Sequence, residues 1–293
     1  MTFDPRTTPA RPDLAAQHLK GKVVAARFVA GTELEVRDAQ APVRREPAPD
    51  APLDTEALHG ERVTVYDQNG EGWYWGQLNG DGYVGWMPAN ALCRPGPPPT
   101  HRVAALRTFV FPGRSIKASP VDALSFGSRV AVKLQQRDPS GDLTDLASGF
   151  CIPTRHIAPI ESREPDFVAV AERFVGVPYL WGGKTSLGLD CSGLVQIALT
   201  ASDIACPRDS DMQERELGAA LPIGDLAALR RGDLVFWKGH VAIMRDDRSI
   251  VHANAFHMAV AIEPVGEALR RIADAGSHVT SIKRLANSSW NKR

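Results

Sequence analysis

Cys191 stands where a cysteine side chain can act as a nucleophile. It follows Asp190 and lies between a glycine-rich loop at residues 181–188 and an apolar run that extends to Ala201. Asp190 is a favourable N-cap, so the sequence predicts that Cys191 occupies the first position of a helix. The positive end of the helix dipole and the free N–H groups there lower the pKa of a thiol. The same N–H groups stabilise an oxyanion that forms beside the sulfur.

His240 and His252 are the candidate partners of this thiol, because a cysteine nucleophile needs a base and a group that orients the base. They lie on two adjacent predicted strands joined by a short polar loop. A three-residue loop, for instance 245–247, sets His240 directly opposite His252 on one face. A two-residue loop at 246–247 pairs His240 with Ala253 and sends the two histidines to opposite faces. A histidine pair therefore requires a loop of odd length.

The residues before 160 carry the signals of short β-strands. Residues 1–40 form a proline- and arginine-punctuated lead with one short helix predicted at 13–19, and the proline-rich stretch 41–52 is a loop or an edge strand. A semi-rigid proline-rich linker at 94–100 separates two groups of predicted strands, and a proline follows the last strand of each group. The predicted strands are 61–66, 73–78, 82–87, 103–109, 128–134 and 148–152. This rhythm predicts two related β modules.

From residue 166 the apolar pattern changes to a helical period. A first helix is predicted after Asp166 and a second over Cys191–Ala201. A run of strands follows at 233–237, 240–244, 249–253 and 279–283. Helices followed by an antiparallel sheet predict an α+β domain.

The composition of the 293 residues excludes several classes of protein. Lys plus Arg equal Asp plus Glu at 34 each, so no global field favours nucleic acid or anionic lipid as a partner. No uncharged apolar stretch approaches the roughly 18 residues of a membrane span, and residues 1–20 lack the apolar core of a signal peptide. We therefore expect a soluble, cytoplasmic protein of two or three domains. Cys93, Cys151 and Cys206 are interpreted as structural.

Five motifs around these residues resemble those of the NlpC/P60 cysteine peptidases, over about residues 166–287. They are VPYLWGG at 177–183, DCSGLV at 190–195, RGDLVF at 231–236, GHVAI at 239–243 and VHA at 251–253. The β modules resemble bacterial SH3 domains, and the layout resembles the γ-D-glutamyl-L-diamino acid endopeptidases. The resemblance implies an α+β papain-like catalytic domain preceded by two small all-β SH3-like barrels. The expected boundaries are 1–40 for the lead, 41–95 and 100–160 for the modules and 165–290 for the peptidase domain.

The resemblance also implies the roles of the catalytic residues. Cys191 would be the nucleophile, His240 the general base and then acid, and His252 the residue that orients His240. Tyr179 matches a tyrosine near the oxyanion, where its O–H would donate beside the Cys191 N–H. The segment at 207–213 resembles one that follows the nucleophile helix, with an arginine and a glutamine whose roles stay open.

Substrate contacts follow from the same resemblance. Asp190 and Ser192 match residues that hold the free amine of an N-terminal L-Ala, although helix capping alone is the alternative for Asp190. In these enzymes the first SH3-like module walls off one end of the groove with a tyrosine and an acidic residue. Tyr83 is the best match for that tyrosine, with an ordinary barrel aromatic as the alternative. Either Glu61 or Glu56 would supply the carboxylate.

Trp181, within the first motif, is a further expected substrate contact. Gly183-Lys184-Thr185 imitates the end of a phosphate-binding loop, but the required first glycine falls on Pro178.

Three alternatives compete with a metal-free peptidase. A zinc site would combine Cys191, His240, His252 and His257, but structural zinc usually brings a closely spaced pair of ligands. A binding protein with SH3-like modules and an inactive peptidase domain has no need of an activated thiol. Amidases and acyltransferases use similar folds, and the triad does not select the acceptor.

The sequence thus predicts a cysteine endopeptidase without metal or cofactor. The expected substrate is a murein tripeptide or related cell-wall peptide with a free N-terminal L-Ala, cut between γ-D-glutamate and the diamino acid, diaminopimelate or Lys. Small free peptides suit a cytosolic enzyme, so a role in cell-wall peptide recycling is expected, without nucleic acid or membrane partners.

Overall fold

The computed structural model describes residues 3–133, 142–223 and 228–286 of the chain. The chain divides after Ser162 into an N-terminal unit, Met1–Ser162, and a C-terminal unit, Arg163–Arg293. Within the described residues, no helix is long and apolar enough to span a membrane.

The N-terminal unit consists of short strands and isolated 3₁₀ turns. Its strands are β1 Ala15–Ala16, β2 Phe28–Val29, β3 Thr32–Val36, β4 Gln40–Arg44, β5 Leu53–Leu58, β6 Arg62–Gln68, β7 Trp73–Leu78, β8 Val84–Pro88, β9 Leu92–Cys93, β10 His101–Val103, β11 Arg107–Val110, β12 Asp122–Ser125, β13 Arg129–Val130, β14 Leu143–Asp145, β15 Cys151–Pro153 and β16 Ile157–Pro159.

A seven-stranded sheet in the order β5-β4-β8-β7-β6-β3-β9 forms the first module. Its core contains Val36, Val43, Val63 and Met87, all fully buried. Strand β3 pairs with both β6 and β9, so the sheet begins before residue 41, where the sequence analysis places its start. The proline-rich stretch that follows supplies β4, which lies between β5 and β8 and is therefore not an edge strand.

The lead segment is packed on the first module, and the helix predicted at 13–19 is wrong. Residues 15–16 form β1 instead, followed by a single 3₁₀ turn at Gln17–Leu19. Leu14 is completely buried against Trp75 and Val84. A seven-residue helix is marginal on its own, so this packing decides the local conformation.

The second β region has smaller sheets, in the order β13-β10-β16 and the pairs β11-β12 and β14-β15. The strand predicted at 103–109 is split in two, because β10 pairs with β16 whereas β11 pairs with β12. The strands predicted at 128–134 and 148–152 correspond to β13 and β15, and residue 134 lies outside the described residues.

The two β regions share one local arrangement. Pro88 ends β8 and precedes a 3₁₀ turn that leads into β9, and Pro153 ends β15 and precedes a 3₁₀ turn that leads into β16. The φ and ψ angles are −58° and 126° at Pro88 and −57° and 123° at Pro153. The predicted rhythm of strand and proline therefore corresponds to a repeated backbone conformation.

Within its described residues, the C-terminal unit combines four α-helices with a six-stranded antiparallel sheet in the order β19-β24-β20-β21-β22-β23. Its elements are α1 Phe167–Glu172, β17 Lys184–Thr185, β18 Gly188–Leu189, α2 Cys191–Ala201, α3 Ser210–Glu216, β19 Ala219–Leu221, β20 Leu234–Trp237, β21 His240–Met244, β22 Ser249–Asn254, β23 Ala259–Pro264, α4 Val265–Asp274 and β24 Val279–Arg284. Helix α2 packs on β21 and β22, and α4 covers Trp237, Met244 and Ile250.

Helices α1 and α2 begin in the same way, with an aspartate cap that also meets an arginine. The Asp166 carboxylate accepts the Val168 N–H at 2.9 Å and bonds Arg231 at 2.8 Å, and this pair is more than a quarter exposed. The Asp190 carboxylate accepts the Gly193 N–H at 2.6 Å, which confirms the predicted N-cap.

The Arg208 partner of Asp190 differs in burial from the Arg231 partner of Asp166. Its guanidinium bonds the carboxylate at 2.7 Å and is 1% exposed. The start of α2 is therefore tied to a buried charge pair, whereas the start of α1 carries a partly hydrated one.

Replacing Asp190 with Asn is expected to lower the free energy of unfolding by about 3–5 kcal/mol. The amide keeps the cap but leaves the buried Arg208 guanidinium without its counter-charge. The matched change Asp166→Asn is expected to cost about 1 kcal/mol or less, because its arginine partner remains partly hydrated. Urea denaturation of both variants measures the difference. Equal losses in the free energy of unfolding would contradict a larger contribution from the buried pair.

Candidate active site

The hairpin β21–β22 brings His240 and His252 together. Met244 pairs with Ile250, and the Arg245 N–H donates to the Ser249 carbonyl at 2.8 Å, which leaves a three-residue loop at 246–248. The odd loop length agrees with the prediction, but the loop is one residue later than the example 245–247. The histidines are therefore diagonal neighbours on one face, and the direct opposition predicted for the earlier loop is wrong.

The two imidazole rings are in direct contact. Nε2 of His240 lies 2.9 Å from Nδ1 of His252, and the ring centroids are 5.1 Å apart. The Trp237 ring also packs against His240, and the centroids of these two rings are 5.5 Å apart. The pair is held in the fold by side chains rather than exposed at its surface.

The far side of His252 is held by a carboxylate that sequence analysis missed. Nε2 of His252 lies 2.7 Å from Oε1 of Glu263, and Arg271 of α4 bonds the same oxygen. Glu263 belongs to β23, where Ala261 pairs with His252 and Glu263 is two residues further along. The alternation of Val260 and Ile262 with smaller or polar residues was the signal for this strand.

Burial keeps both histidines neutral. It lowers the pKa of His240 to about 3, and the positive charge of Arg271 acts in the same direction. Burial also lowers the pKa of His252, although the hydrogen bond to Glu263 and its negative charge oppose this. At neutral pH the pair therefore consists of two uncharged imidazoles, and His240 is a base with a free lone pair.

Cys191 occupies the first position of α2, as predicted, and the backbone N–H groups of Val241 and Ser192 lie close enough to its sulfur to lower the pKa of the thiol. Val241 is the residue after His240, so the thiol lies at the start of β21. Burial raises the pKa of the thiol to about 12, with the Asp190 charge adding to the effect. The two N–H groups and Arg208 lower the pKa but do not offset burial.

The expectation of a lowered cysteine pKa is therefore wrong. The helix terminus is present, but the cost of an ion in a side chain only 6% exposed outweighs the dipole. The resting Cys191 is a neutral thiol, and its proton must leave as the sulfur attacks.

Tyr179 lies near this thiol. Its backbone N–H donates to the Met258 carbonyl at 2.9 Å, which fixes the loop between α1 and β17. Burial raises the pKa of the phenol above its ordinary value, and the negative charge of Asp190 adds to the effect. Its O–H is thus retained at neutral pH and remains a hydrogen-bond donor.

The polar groups at the start of α2 already have partners within the chain. The Asp190 carboxylate accepts from the Gly182 N–H at 2.9 Å and from both terminal nitrogens of Arg208. The Ser192 hydroxyl accepts from Arg208 at 2.9 Å, and Gln213 donates to the Ser192 carbonyl at the same distance. A substrate ammonium would have to share Asp190 with Arg208, so its amine-binding role stays a prediction.

Arg208 and Gln213, whose roles the sequence left open, thus brace the residues on both sides of the nucleophile. Arg208 also donates to the Gly183 carbonyl at 3.2 Å, which links the glycine-rich loop to the helix. Trp181 in that loop is 68% exposed, so its ring is available to a ligand.

The remaining expected substrate contacts belong to the N-terminal unit. Tyr83 is 4% exposed and packs in the core of the first module, which favours the barrel-aromatic alternative. Glu61 accepts the Leu58 N–H at 2.8 Å, and Glu56 is 5% exposed. The substrate-binding roles of these three residues stay predictions.

Among the described residues, one group of His, Cys, Asp and Glu converges as metal ligands would. His252, His257 and Glu263 have potential ligand atoms within 4.8 Å of one another. This is not the combination with Cys191 and His240 that the zinc alternative proposed. Both ring nitrogens of His252 already meet His240 and Glu263, so a metal ion would have to displace a hydrogen bond.

Comparison with known families assigns the two parts of the chain. Residues 43–92 match the bacterial dipeptidyl-peptidase Sh3 domain, and residues 176–292 match the NlpC/P60 family. The second barrel expected at 100–160 stays a prediction.

Three relatives that are named as peptidases align with 39% to 73% of the chain. A gamma-D-glutamyl-L-lysine dipeptidyl-peptidase of Bacillus cereus is 29% identical over 245 residues, which cover 73% of this chain and 71% of the relative. The protein of the same name in Bacillus subtilis is 28% identical, with 63% of this chain and 64% of the relative covered. Dipeptidyl-peptidase 6 of Lysinibacillus sphaericus is 36% identical over 119 residues, 39% of this chain and 42% of the relative. The chain thus spans less than two thirds of the last two relatives.

Solved structures show the same fold. A crystal structure of an NlpC/P60 family protein from Bacillus cereus matches with a TM-score of 0.72 at 21% identity, covering 87% of this chain and 100% of that one. An NlpC/P60 endopeptidase from Photobacterium damselae matches with a TM-score of 0.59 at 15% identity, covering 89% and 72%. The resemblance seen in the five sequence motifs is confirmed: residues 176–292 match the NlpC/P60 family and residues 43–92 match the bacterial dipeptidyl-peptidase Sh3 domain.

Proposed function

We propose that this chain is a cysteine endopeptidase that cuts the bond between γ-D-glutamate and the diamino acid of murein peptides carrying a free N-terminal L-Ala. The observation that carries the proposal is the His240–His252 contact at 2.9 Å, with the N–H of Val241, the residue after His240, close enough to the Cys191 sulfur to lower its pKa. Two relatives named gamma-D-glutamyl-L-lysine dipeptidyl-peptidase support a peptidoglycan-peptide substrate.

The reaction begins with a neutral thiol and a neutral imidazole. His240 accepts the thiol proton while the Cys191 sulfur attacks the γ-carbonyl carbon, so no free thiolate has to persist in the buried site. The Cys191 N–H and the Tyr179 O–H donate to the oxyanion of the tetrahedral intermediate. The C–N bond then breaks, and His240 returns its proton to the leaving amine of the diamino acid.

The second half of the reaction clears the thioester. His240 takes a proton from water, the hydroxide oxygen attacks the thioester carbon, and the sulfur leaves and regains the proton. The products are the diamino acid and L-Ala-γ-D-Glu. His252 orients His240 in both halves, which matches the direct contact of the two rings.

Substrate selection is proposed to reside in polar groups around α2 and in the first SH3-like module. Asp190 and Ser192 would recognise the ammonium of L-Ala, and Tyr83 with Glu61 or Glu56 would be the substrate contacts of the first module. Cleavage of small peptides of this kind suits cell-wall peptide recycling in the cytoplasm, which we propose as the setting.

Replacing Cys191 with Ala is expected to lower kcat/KM for L-Ala-γ-D-Glu-diaminopimelate by roughly 10⁴-fold or more, because the nucleophile is lost. Mass spectrometry of the released diamino acid measures the rate, and the Lys-containing tripeptide is assayed in parallel. Cys206→Ala is the matched control, since Cys206 is also buried in the C-terminal unit and is expected to leave kcat/KM within about threefold.

Two other results of this experiment would contradict the proposal. Equal binding by wild type and Cys191→Ala without cleavage by either would make the chain a cell-wall peptide-binding protein. Cleavage of a different bond in the peptide would make the chain an amidase, and transfer of the acyl group to an amine would make it an acyltransferase.

The pH dependence of kcat/KM follows from the neutral resting pair. The low pKa of His240, about 3, keeps its base form present far below neutral pH. Between about pH 7 and about pH 5.5, kcat/KM is therefore expected to change by about twofold or less. A base with the pKa of free imidazole, about 6.5, would lose about eightfold over the same interval.

Stopped assays at a series of pH values, with circular dichroism to verify folding at each, make this measurement. A decline with an apparent pKa near 6.5 in folded enzyme would overturn the assignment of a desolvated His240 base.

A further inference from the structure

The series of side-chain hydrogen bonds that begins at His240 extends beyond His252. It continues from His252 Nε2 to Oε1 of Glu263 at 2.7 Å, and from there to the guanidinium of Arg271. The Arg271 guanidinium in turn lies 4.3 Å from the centre of the Phe256 ring. Four side chains, from β21, β22, β23 and α4, are thus connected in one hydrogen-bonded network: His240, His252, Glu263 and Arg271.

Glu263 is buried but carries a charge. Its residue is 8% exposed, and burial alone would raise the pKa of the carboxyl group. The hydrogen bond from His252 and the positive charge of Arg271 lower that pKa below its ordinary value. The group is therefore a carboxylate at neutral pH and has only acceptor atoms to offer.

This carboxylate dictates which nitrogens hold protons. Because Glu263 only accepts, Nε2 of His252 must carry the N–H of that bond. A neutral imidazole has a single N–H, so Nδ1 of His252 is an acceptor, and Nε2 of His240 must donate to it across 2.9 Å. Nδ1 of His240 is then the nitrogen with a free lone pair.

We propose that Glu263 is a positioning residue that sets the tautomers of both histidines, so that Nδ1 of His240 is the atom that takes the Cys191 proton. The role rests on the proposed function in so far as it concerns that proton. An amide in place of the carboxylate can either accept or donate at His252. If it donates, both imidazoles reverse, Nδ1 of His240 carries a hydrogen, and the general base is lost.

The first arm of the test is kinetic. Glu263→Gln is expected to lower kcat for the murein tripeptide by roughly 10- to 1000-fold with KM nearly unchanged, because an orienting partner acts on proton transfer rather than on substrate binding. Glu263→Asp retains the charge and is expected to recover part of the loss. The matched control is Glu214→Gln, whose carboxylate accepts the Ser281 hydroxyl at 2.7 Å in the same unit and is expected to leave kcat unchanged. Unchanged kcat in folded Glu263→Gln would overturn the proposal.

The second arm reads the tautomers in the resting protein and needs neither substrate nor a variant. In wild-type protein labelled with ¹⁵N-histidine, long-range ¹H–¹⁵N spectra are expected to show both His240 and His252 protonated at Nε2 and not at Nδ1. A proton on Nδ1 of His252 would overturn the proposal even if Glu263→Gln failed to fold.

The two arms separate this inference from the proposed function. Absence of tripeptide cleavage by wild type would defeat the proposed function, while the spectra would still decide the tautomers. A zinc ion held by His252, His257 and Glu263 would instead shift the His252 resonances on treatment with EDTA, and that result would also overturn the proposal.

Discussion

Desolvation of one thiol and one imidazole is the constraint on which the site depends. In water these groups exchange a proton readily, and the product of that exchange is a thiolate–imidazolium ion pair. Here burial raises the pKa of Cys191 to about 12 and lowers that of His240 to about 3, so both effects oppose the ion pair. The surrounding structure must therefore supply what charge does not, namely a fixed direction for each proton and donors for the oxyanion.

The fold meets this need with two rigid polar clusters on either side of the nucleophile. On one side, Arg208 and Gln213 donate hydrogen bonds to side chains and backbone at the start of α2, and these bonds position the N–H groups there. On the other side, Glu263 anchors His252 from β23. Both clusters contain an ion pair, and the Arg208–Asp190 pair is buried whereas Arg271 beside Glu263 is 26% exposed.

Sequence reasoning predicted the local features of the site well and its environment poorly. The extent of α2 and the cap at Asp190 followed from capping chemistry over a few residues, and both agree with the structure. The hairpin parity followed from strand periodicity, but the register did not, since loops 245–247 and 246–248 are equally compatible with alternation. The pKa of Cys191 was misjudged because burial depends on tertiary packing, which no local pattern reports. Glu263 was missed with the strand that carries it.

The lead segment of the N-terminal unit covers aromatic side chains on the strands of the first module. The Arg11 guanidinium lies 4.4 Å from the ring centre of Trp75 and 5.1 Å from that of Trp86, and it bonds Asp67. Farther up the chain, the Arg6 carbonyl accepts the Val84 N–H at 2.8 Å. The tryptophan face is thus already filled by an arginine from the same chain, in the manner of a bound ligand. Because Arg11 covers these rings, removing the first dozen residues would expose the apolar faces of Trp75 and Trp86 to water.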